Sequence, residues 1–252
     1  MRTRLVLFVA LVLTLVAGAC SDSEQPATEA AVSLEGLRFI VEVIAEDGSP
    51  ADEELVRRSA AVITSRLEAA KFNAKVIVAL PGRLEIQLGD TDESLAKIAT
   101  DLLTRSANLT FHLVDADATA SSEPGPDHLL LESEQGPLAL ISQPVLEGGA
   151  ISQASARMDA SGHMPVVWLL FTDQGAQDFA QATTQHVGRR LAIVVDGKVL
   201  SAPVIQEPIT GGEAVISGVF DLAEAEVLAA TLQGGALPGR VRILDMQLIG
   251  RE

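Results

Sequence analysis

Four histidines are the residues of this chain best suited to metal binding or acid–base chemistry, and their spacing argues against both. They lie at positions predicted as a strand, a linker, a loop and a helix end, namely His112, His128, His163 and His186. No pair shows the H-x-x-x-H or histidine–carboxylate spacing of a zinc site. His186 is explained by a favourable interaction with the dipole of the helix that it ends. We therefore expect no metal and no cofactor.

Serines and paired glycines are the residues that could serve covalent catalysis or phosphate binding. No G-x-S-x-G elbow is present to expose a serine nucleophile to a base and an oxyanion hole. The pairs Gly148-Gly149, Gly211-Gly212 and Gly234-Gly235 lack phosphate-loop spacing and are interpreted as turns, where glycine supplies positive φ. The sequence predicts a protein that is not an enzyme.

The overall composition predicts a globular protein with an acidic surface. The chain has 252 residues, 48% of them hydrophobic, which suits one large domain or two small ones. It carries 34 acidic and 18 basic side chains, for a formal net charge of -16. Nucleic-acid affinity comes mainly from Lys and Arg neutralising phosphates. We expect no nucleic-acid partner and no small-molecule substrate.

Residues 1–19 have the pattern of an export signal. Arg2 and Arg4 precede an apolar run at residues 5–16, and small residues follow up to Cys20, the only cysteine. As a helix this run covers about 18 Å, short of the roughly 30 Å core of a bilayer. The pattern therefore favours a cleaved signal over a membrane-spanning anchor.

Cys20 lies where the lipoprotein box places its lipidated residue. The alternative is a plain A-x-A cleavage site that leaves a free thiol. An unpaired exposed cysteine is a liability in an oxidising compartment, so we favour lipidation. Residues 20–35, small and polar after the cysteine, are then a flexible tether. The predicted location is extracytoplasmic, lipid-anchored to a bacterial membrane.

Hydrophobic periodicity over residues 36–115 predicts a ferredoxin-like unit. A strand at residues 37–44 and an amphipathic helix are followed by a hairpin around Pro81-Gly82, a second helix, and a last strand at residues 109–114. This β-α-β-β-α-β order is the split βαβ plan, in which two helices cover a four-stranded antiparallel sheet.

A second unit is predicted after a linker at residues 116–128, which has no apolar period. It covers residues 129–236 and contains a strand at 166–171, a helix begun by Thr172 or Asp173, and a helix begun by a D-x-x-E capping box at Asp221. Residues 237–252 are predicted to return as a strand to the first sheet. The expected fold class is α+β, with two ferredoxin-like antiparallel sheet and helix units.

The most distinctive segment of the sequence, residues 187–212, contains a predicted β-hairpin. Asp196-Gly197 supplies a two-residue turn able to take positive φ between two strands. Pro203 has no N–H to donate, so the second strand is either a sheet edge or bent there. Arg189-Arg190 either complement the dipole of the preceding helix or meet carboxylates of a partner.

This segment resembles the extracytoplasmic head region of SecD, the protein-export translocase subunit. The resemblance rests on three motifs in this segment, VGRRLAIV (187–194), DGKV (196–199) and SAPVI (201–205). Four shorter motifs occur around them in the family's order: GAIS (149–152), DQGA (173–176), ISG (216–218) and GALP (235–238). By this resemblance the first unit is the base and the second is the inserted head. The motif residues that it marks are Gly188, Arg189, Arg190, Asp196, Gly197, Ser201 and Pro203.

The resemblance implies a membrane-tethered module that binds or assists exported polypeptide at the translocase. Its implied partners are unfolded exported polypeptide, Sec translocase components, or both. The family normally continues into six membrane-spanning helices that couple proton flow to motion, so a module without its own motor is expected. Two alternatives remain: a structural module that docks on another envelope or translocase protein, and an enzyme or ligand binder that uses a cleft between base and head.

Overall fold

The computed structural model describes residues 35–79, 81–116, 127–218 and 221–250. The predicted signal, Cys20 and most of the predicted linker lie outside these residues. The described elements follow one another along the chain as β1 (Gly36–Ile44), α1 (Glu53–Ala69), β2 (Asn73–Ala79), β3 (Arg83–Gly89), α2 (Ala96–Thr104), β4 (Leu109–Leu113), β5 (His128–Leu131), β6 (Leu138–Ile141), β7 (Leu146–Glu147), β8 (Ile151–Met158), β9 (Pro165–Phe171), α3 (Asp173–Gln185), β10 (Leu191–Val195), β11 (Lys198–Ser201), β12 (Glu213–Ile216), α4 (Leu222–Gly234) and β13 (Arg240–Ile249).

The first sheet is antiparallel, with the strand order β13-β1-β3-β2. Alternate residues of β1 are fully buried, from Leu37 and Phe39 to Val43. They pack with the apolar faces of α1 and α2, including Ile63 and Leu102. This alternation is the period-two pattern of a sheet with one face covered by helices.

The strand at residues 109–114 is not where the sequence predicted it. We expected it to close the first sheet, but β4 pairs with β10 and β7 in a second sheet. The first sheet is completed by β13, which pairs with β1 from Gly36 opposite Ile249 to Ile44 opposite Arg240. β4 is buried at four of its five positions, which suits a strand covered on both faces. β13 is largely exposed, which suits an edge.

The second sheet has the order β11-β10-β4-β7 and is covered on both faces. On one side, Leu191, Ile193 and Val195 of β10 join a core with α3, α4 and the third sheet, β12-β9-β8. On the other side, Ala192 and Val194 pack with the β5–β6 hairpin. Coverage of both faces explains why β10 is an unbroken apolar run.

Helix α4 joins the two hydrophobic cores. Val227 and Ala230 pack in the core of the first sheet, whereas Leu228 and Leu232 pack in the core of the second and third sheets. Residues 227–232 of α4, apolar except for Thr231, are all buried, as expected for a helix segment that packs on more than one side. Asp221 and Glu224 form the capping box that the sequence predicts at its start.

Arg66 is a buried cation that connects the two segments by which the chain crosses between the sheets. Its guanidinium donates hydrogen bonds to the carbonyl of Leu102, in the last turn of α2, to those of Arg105 and Ser106, just after α2, and to that of Gly235, just after α4. The crossings also contact each other, since the Leu237 N–H donates to the Ser106 carbonyl at 2.9 Å. Burial lowers the pKa of Arg66 to about 10, partly opposed by the charge of Asp196. Arg66 is therefore charged at neutral pH.

The α+β class with antiparallel sheets is confirmed. The sheet of the first unit has the predicted two helices on one face, with β13 as its fourth strand. The second unit distributes its strands over a four-stranded sheet, a three-stranded sheet and a two-stranded hairpin. None of the helices in the described part of the chain is long and apolar enough to cross a membrane.

Candidate functional site

The hairpin of β10 and β11 has the turn that the sequence predicts. Asp196 and Gly197 adopt φ of 52° and 77°, the left-handed region that a two-residue hairpin turn of this kind requires. The Asp196 carboxylate also accepts the Asn108 N–H at 2.9 Å. This bond ties the turn to the start of β4, so the turn is fixed by its own conformation and by a neighbouring strand.

Pro203 lies at a sheet edge, one of the two placements expected for it. β11 ends at Ser201 and is the outer strand of its sheet. Beyond it, the Pro203 carbonyl accepts the Leu191 N–H at 2.8 Å, and the Ile205 N–H donates to the Arg189 carbonyl at 2.9 Å. The chain thus continues beside the start of β10 although proline has no N–H to contribute.

The two motif arginines donate to backbone carbonyls just beyond the ends of β4 and β11. Helix α3 ends at Gln185, and Gly188 then takes a φ of 84°. Arg189 donates to the Val114 carbonyl at 3.3 Å, and Arg190 donates through Nε to the Ala202 carbonyl at 3.0 Å. Neither side-chain bond is to a carbonyl of α3.

A groove of about 490 Å³ runs along the edge strand β11. Its walls also include the β5–β6 turn, the β8–β9 turn and the segment after β12. Its apolar lining includes Leu138, Met164, Pro165, Leu200 and Pro203. Its polar lining includes Glu134, Asp159, Arg190 and Ser201. We call this the β11 groove. Three of the motif residues, Arg190, Ser201 and Pro203, lie in it.

The β8–β9 turn holds Met164 at the groove. The Asp159 carboxylate accepts hydrogen bonds from the Ser161 hydroxyl and from the N–H groups of His163 and Met164. These bonds hold the pKa of Asp159 below its ordinary value, so the turn keeps its charged acceptor at neutral pH. Met164 is 52% exposed. An unbranched, polarisable side chain of this kind adapts to apolar surfaces of different shapes.

Ser201 contributes a hydroxyl without a partner to the wall of the groove. Its Oγ is buried, and no group of the described residues forms a hydrogen bond with it; Ser59 on α1 is the only other such case among them. A buried polar group without a hydrogen bond costs about 1–3 kcal/mol. Most buried polar groups in native proteins are paired, so this one calls for an explanation.

Two of the four histidines lie beside the same residue, because His112 on β4 hydrogen-bonds to the Ile141 carbonyl and His128 on β5 pairs opposite Ile141. His112 is buried on β4 between the Ile141 carbonyl and the Thr110 hydroxyl, His128 pairs with Asp115 at 2.8 Å, and His186 ends α3. Within the described ranges, no three acidic, histidine or cysteine side chains are grouped as metal ligands. The sequence does contain one S-x-x-K run, residues 94–97, and its Ser94 hydroxyl donates a hydrogen bond to the Asp92 carboxylate.

A second cleft, of about 670 Å³, lies between α4, β8 and the first sheet. Alanines form much of its wall, including Ala154, Ala229 and Ala230. The buried Thr91 hydroxyl at its edge is satisfied, because it accepts the Leu37 N–H and donates to the Leu88 carbonyl. This cleft occupies the place expected for a ligand site between the two units, but it offers no comparable unpartnered polar group within the described residues.

Comparison with known proteins identifies relatives over most of the chain. Residues 126–239 match the model of the family "SecDF, P1 head subdomain". The chain is 32% identical over 240 residues to Protein translocase subunit SecDF of Thermus thermophilus and 30% identical over 224 residues to Protein translocase subunit SecD of Acidaminococcus fermentans. These alignments cover 90% and 85% of this chain but only 32% and 45% of the relatives.

Solved structures show the same similarity in three dimensions. A structure titled "Structure and function of a membrane component SecDF that enhances protein export" is covered over its full length, with a TM-score of 0.67 and 28% identity. A crystal structure of SecDF in a super-membrane-facing form has a TM-score of 0.69, with 87% of this chain and 32% of the other covered. The relatives are translocase subunits, a class of transport proteins.

Proposed function

Because residues 126–239 of this chain match the model of the SecDF P1 head family, we propose that the protein is an extracytoplasmic module that assists export by binding polypeptide in the β11 groove. Components of the Sec translocase are its proposed partners. The observation that carries the proposal is the groove itself, in which the family-motif residues Arg190, Ser201 and Pro203 line an apolar channel along a sheet edge.

The chemistry of the groove suits an extended chain of variable sequence. Leu138, Met164, Pro165 and Leu200 present apolar surface without enclosing it. Hydrophobic contact is not directional, and a methionine in the wall accommodates different side chains. The main chain of the edge strand β11, apart from the Val199 N–H that already donates to the Glu132 carbonyl, adds the possibility of hydrogen bonds that do not depend on sequence. Together these features favour a reversible, sequence-tolerant grip.

Replacing Met164 with aspartate is expected to weaken peptide binding about tenfold or more, since apolar contact of this side chain contributes on the order of 1.5 kcal/mol. The measurement is fluorescence anisotropy of a labelled, unfolded, apolar-rich peptide titrated with the full chain in detergent. Met246 on β13 is 46% exposed, close to Met164 at 52%, so Met246→Asp is the matched control and leaves affinity unchanged. Absence of binding by the unaltered protein at high micromolar concentration contradicts the proposal.

A docking role is the second candidate, and one observation favours it. The edge strand β13 exposes Leu244, Met246 and Leu248 on the first sheet. Crosslinking in whole membranes separates the candidates, because a docking module captures one folded partner and a polypeptide-binding module captures many nascent chains. Loss of a single crosslinked partner in Met246→Asp, with peptide binding intact, favours docking.

We further propose that Cys20 carries a lipid that tethers the module to a membrane. The support is the sequence pattern before it, an apolar run followed by small residues. Acyl chains on the cysteine and its amino group bury enough CH₂ groups for stable attachment. Intact-mass spectrometry of the protein from membranes is expected to show acyl adducts that Cys20→Ser abolishes. An unmodified amino-terminal Cys20 contradicts the tether.

A further inference from the structure

Ser201 lies in the wall of the β11 groove, and its hydroxyl is buried without a hydrogen-bond partner among the described residues. Ser201 is the last residue of β11, the edge strand that forms one wall of the β11 groove. Its neighbours Leu200 and Pro203 line the same wall. The hydroxyl is covered in this structure and has no hydrogen bond to any described residue. Rotation about a single side-chain bond therefore breaks no hydrogen bond, and serine has three staggered positions available.

We propose that the Ser201 hydroxyl is the hydrogen-bond partner of the main chain of a polypeptide bound in the β11 groove, an inference that rests on the proposed function. The bound segment is extended, and its side chains contact the apolar wall. A serine hydroxyl both donates and accepts, so it pairs with a peptide carbonyl or a peptide N–H. Both groups recur in every polypeptide, which makes the contact independent of sequence.

Other groups in the groove are less suited to this role. Arg190 only donates, and its Nε is bound to the Ala202 carbonyl. Asp159 is occupied by the hydrogen bonds of the β8–β9 turn. Among the described side chains of the groove, Ser201 is therefore the one whose buried polar atom gains a first hydrogen bond when a peptide binds.

The decisive variant is Ser201→Ala, because the inference predicts opposite effects on stability and on binding. Removing a buried hydroxyl without a partner leaves the unfolding midpoint unchanged or raises it. Loss of the contact to the bound chain lowers peptide affinity about three- to tenfold. Ser59→Ala is the matched control, since it removes the other unpartnered hydroxyl from α1, away from the groove. It changes the midpoint in the same direction and leaves peptide affinity unchanged.

A probe without a peptide main chain tests the kind of contact. Nile red is uncharged and binds apolar surface, so Met164→Asp weakens its binding to the full chain whereas Ser201→Ala does not. Equal affinity of Ser201→Ala and the unaltered protein for the apolar-rich peptide overturns the inference while leaving the proposed function intact. Equal loss of peptide and Nile red binding in Ser201→Ala also overturns it, because the groove itself has then changed. Failure of the unaltered protein to bind the peptide contradicts the proposed function.

Discussion

Arg66→Met is expected to lower the free energy of unfolding by about 3 kcal/mol or more, a large part of the stability of an ordinary domain. Methionine fills a similar volume but donates no hydrogen bond. The partly buried carbonyls of Arg105, Ser106 and Gly235 and the buried carbonyl of Leu102 then lose the guanidinium that now binds them. Urea or guanidinium chloride unfolding followed by circular dichroism measures the loss.

Two further substitutions on the same helix make this measurement specific. Arg57→Met removes an arginine whose side chain is 65% exposed and pairs with Glu53 one turn away, so its effect stays within about 0.5 kcal/mol. Arg66→Lys keeps the charge but not the planar fork of donors, so its stability lies between those of Arg66→Met and the unaltered protein. Coincident unfolding curves for Arg66→Met and Arg57→Met contradict the role of Arg66.

The position of Arg66 also predicts how the protein unfolds. Its hydrogen bonds hold both chain crossings, and the crossings separate a core built on the first sheet from a core built on the second and third. Helix α4 contributes side chains to both cores. Weakening the crossings reduces the coupling between the cores, so the unfolding transition of Arg66→Met is broader than that of Arg57→Met, with a smaller denaturant dependence.

Local features of this fold could be predicted from the sequence because their causes are local. The Asp196-Gly197 turn follows from residues that tolerate positive φ between two apolar runs. The start of α4 follows from Asp221 and Glu224, which satisfy each other's backbone N–H groups. Strand pairing is different: the pattern of residues 109–114 predicts a strand but does not specify its partner. Burial on both faces, which places β4 inside the second sheet, depends on segments remote in the chain.

The candidate site was only partly predictable for the same reason. The family motifs in the sequence indicate Ser201 and Pro203, but the β11 groove is also formed by the β5–β6 turn, the β8–β9 turn and the segment after β12. No hydrophobic periodicity in the sequence indicates that these three segments lie next to β11. Arg66 was missed because an arginine in an amphipathic helix is usually exposed. Only the tertiary structure shows that two helix ends converge on it and that their carbonyls take the place of water.

Gly234→Ala is expected to destabilise the protein by about 2–3 kcal/mol, although alanine is the better helix former by about 1 kcal/mol. Gly234 is the last residue of α4, where the sequence analysis expected a turn. A Cβ at this position would lie 2.3 Å from Cγ and 2.8 Å from the backbone N of Arg66. Helices α1 and α4 would have to move apart. Chemical denaturation of this variant measures the cost.

Gly149→Ala is the matched control, because a Cβ there meets nothing within 4 Å, and its effect stays within about 0.5 kcal/mol. The double variant Arg66→Ala with Gly234→Ala then identifies the contact. Arg66→Ala removes the Cγ that the new Cβ would strike, so part of the cost of Gly234→Ala disappears in that background and the two effects are not additive. Strict additivity, or a Gly234→Ala protein as stable as the unaltered one, shows that close packing against Arg66 is not what requires glycine at the end of α4.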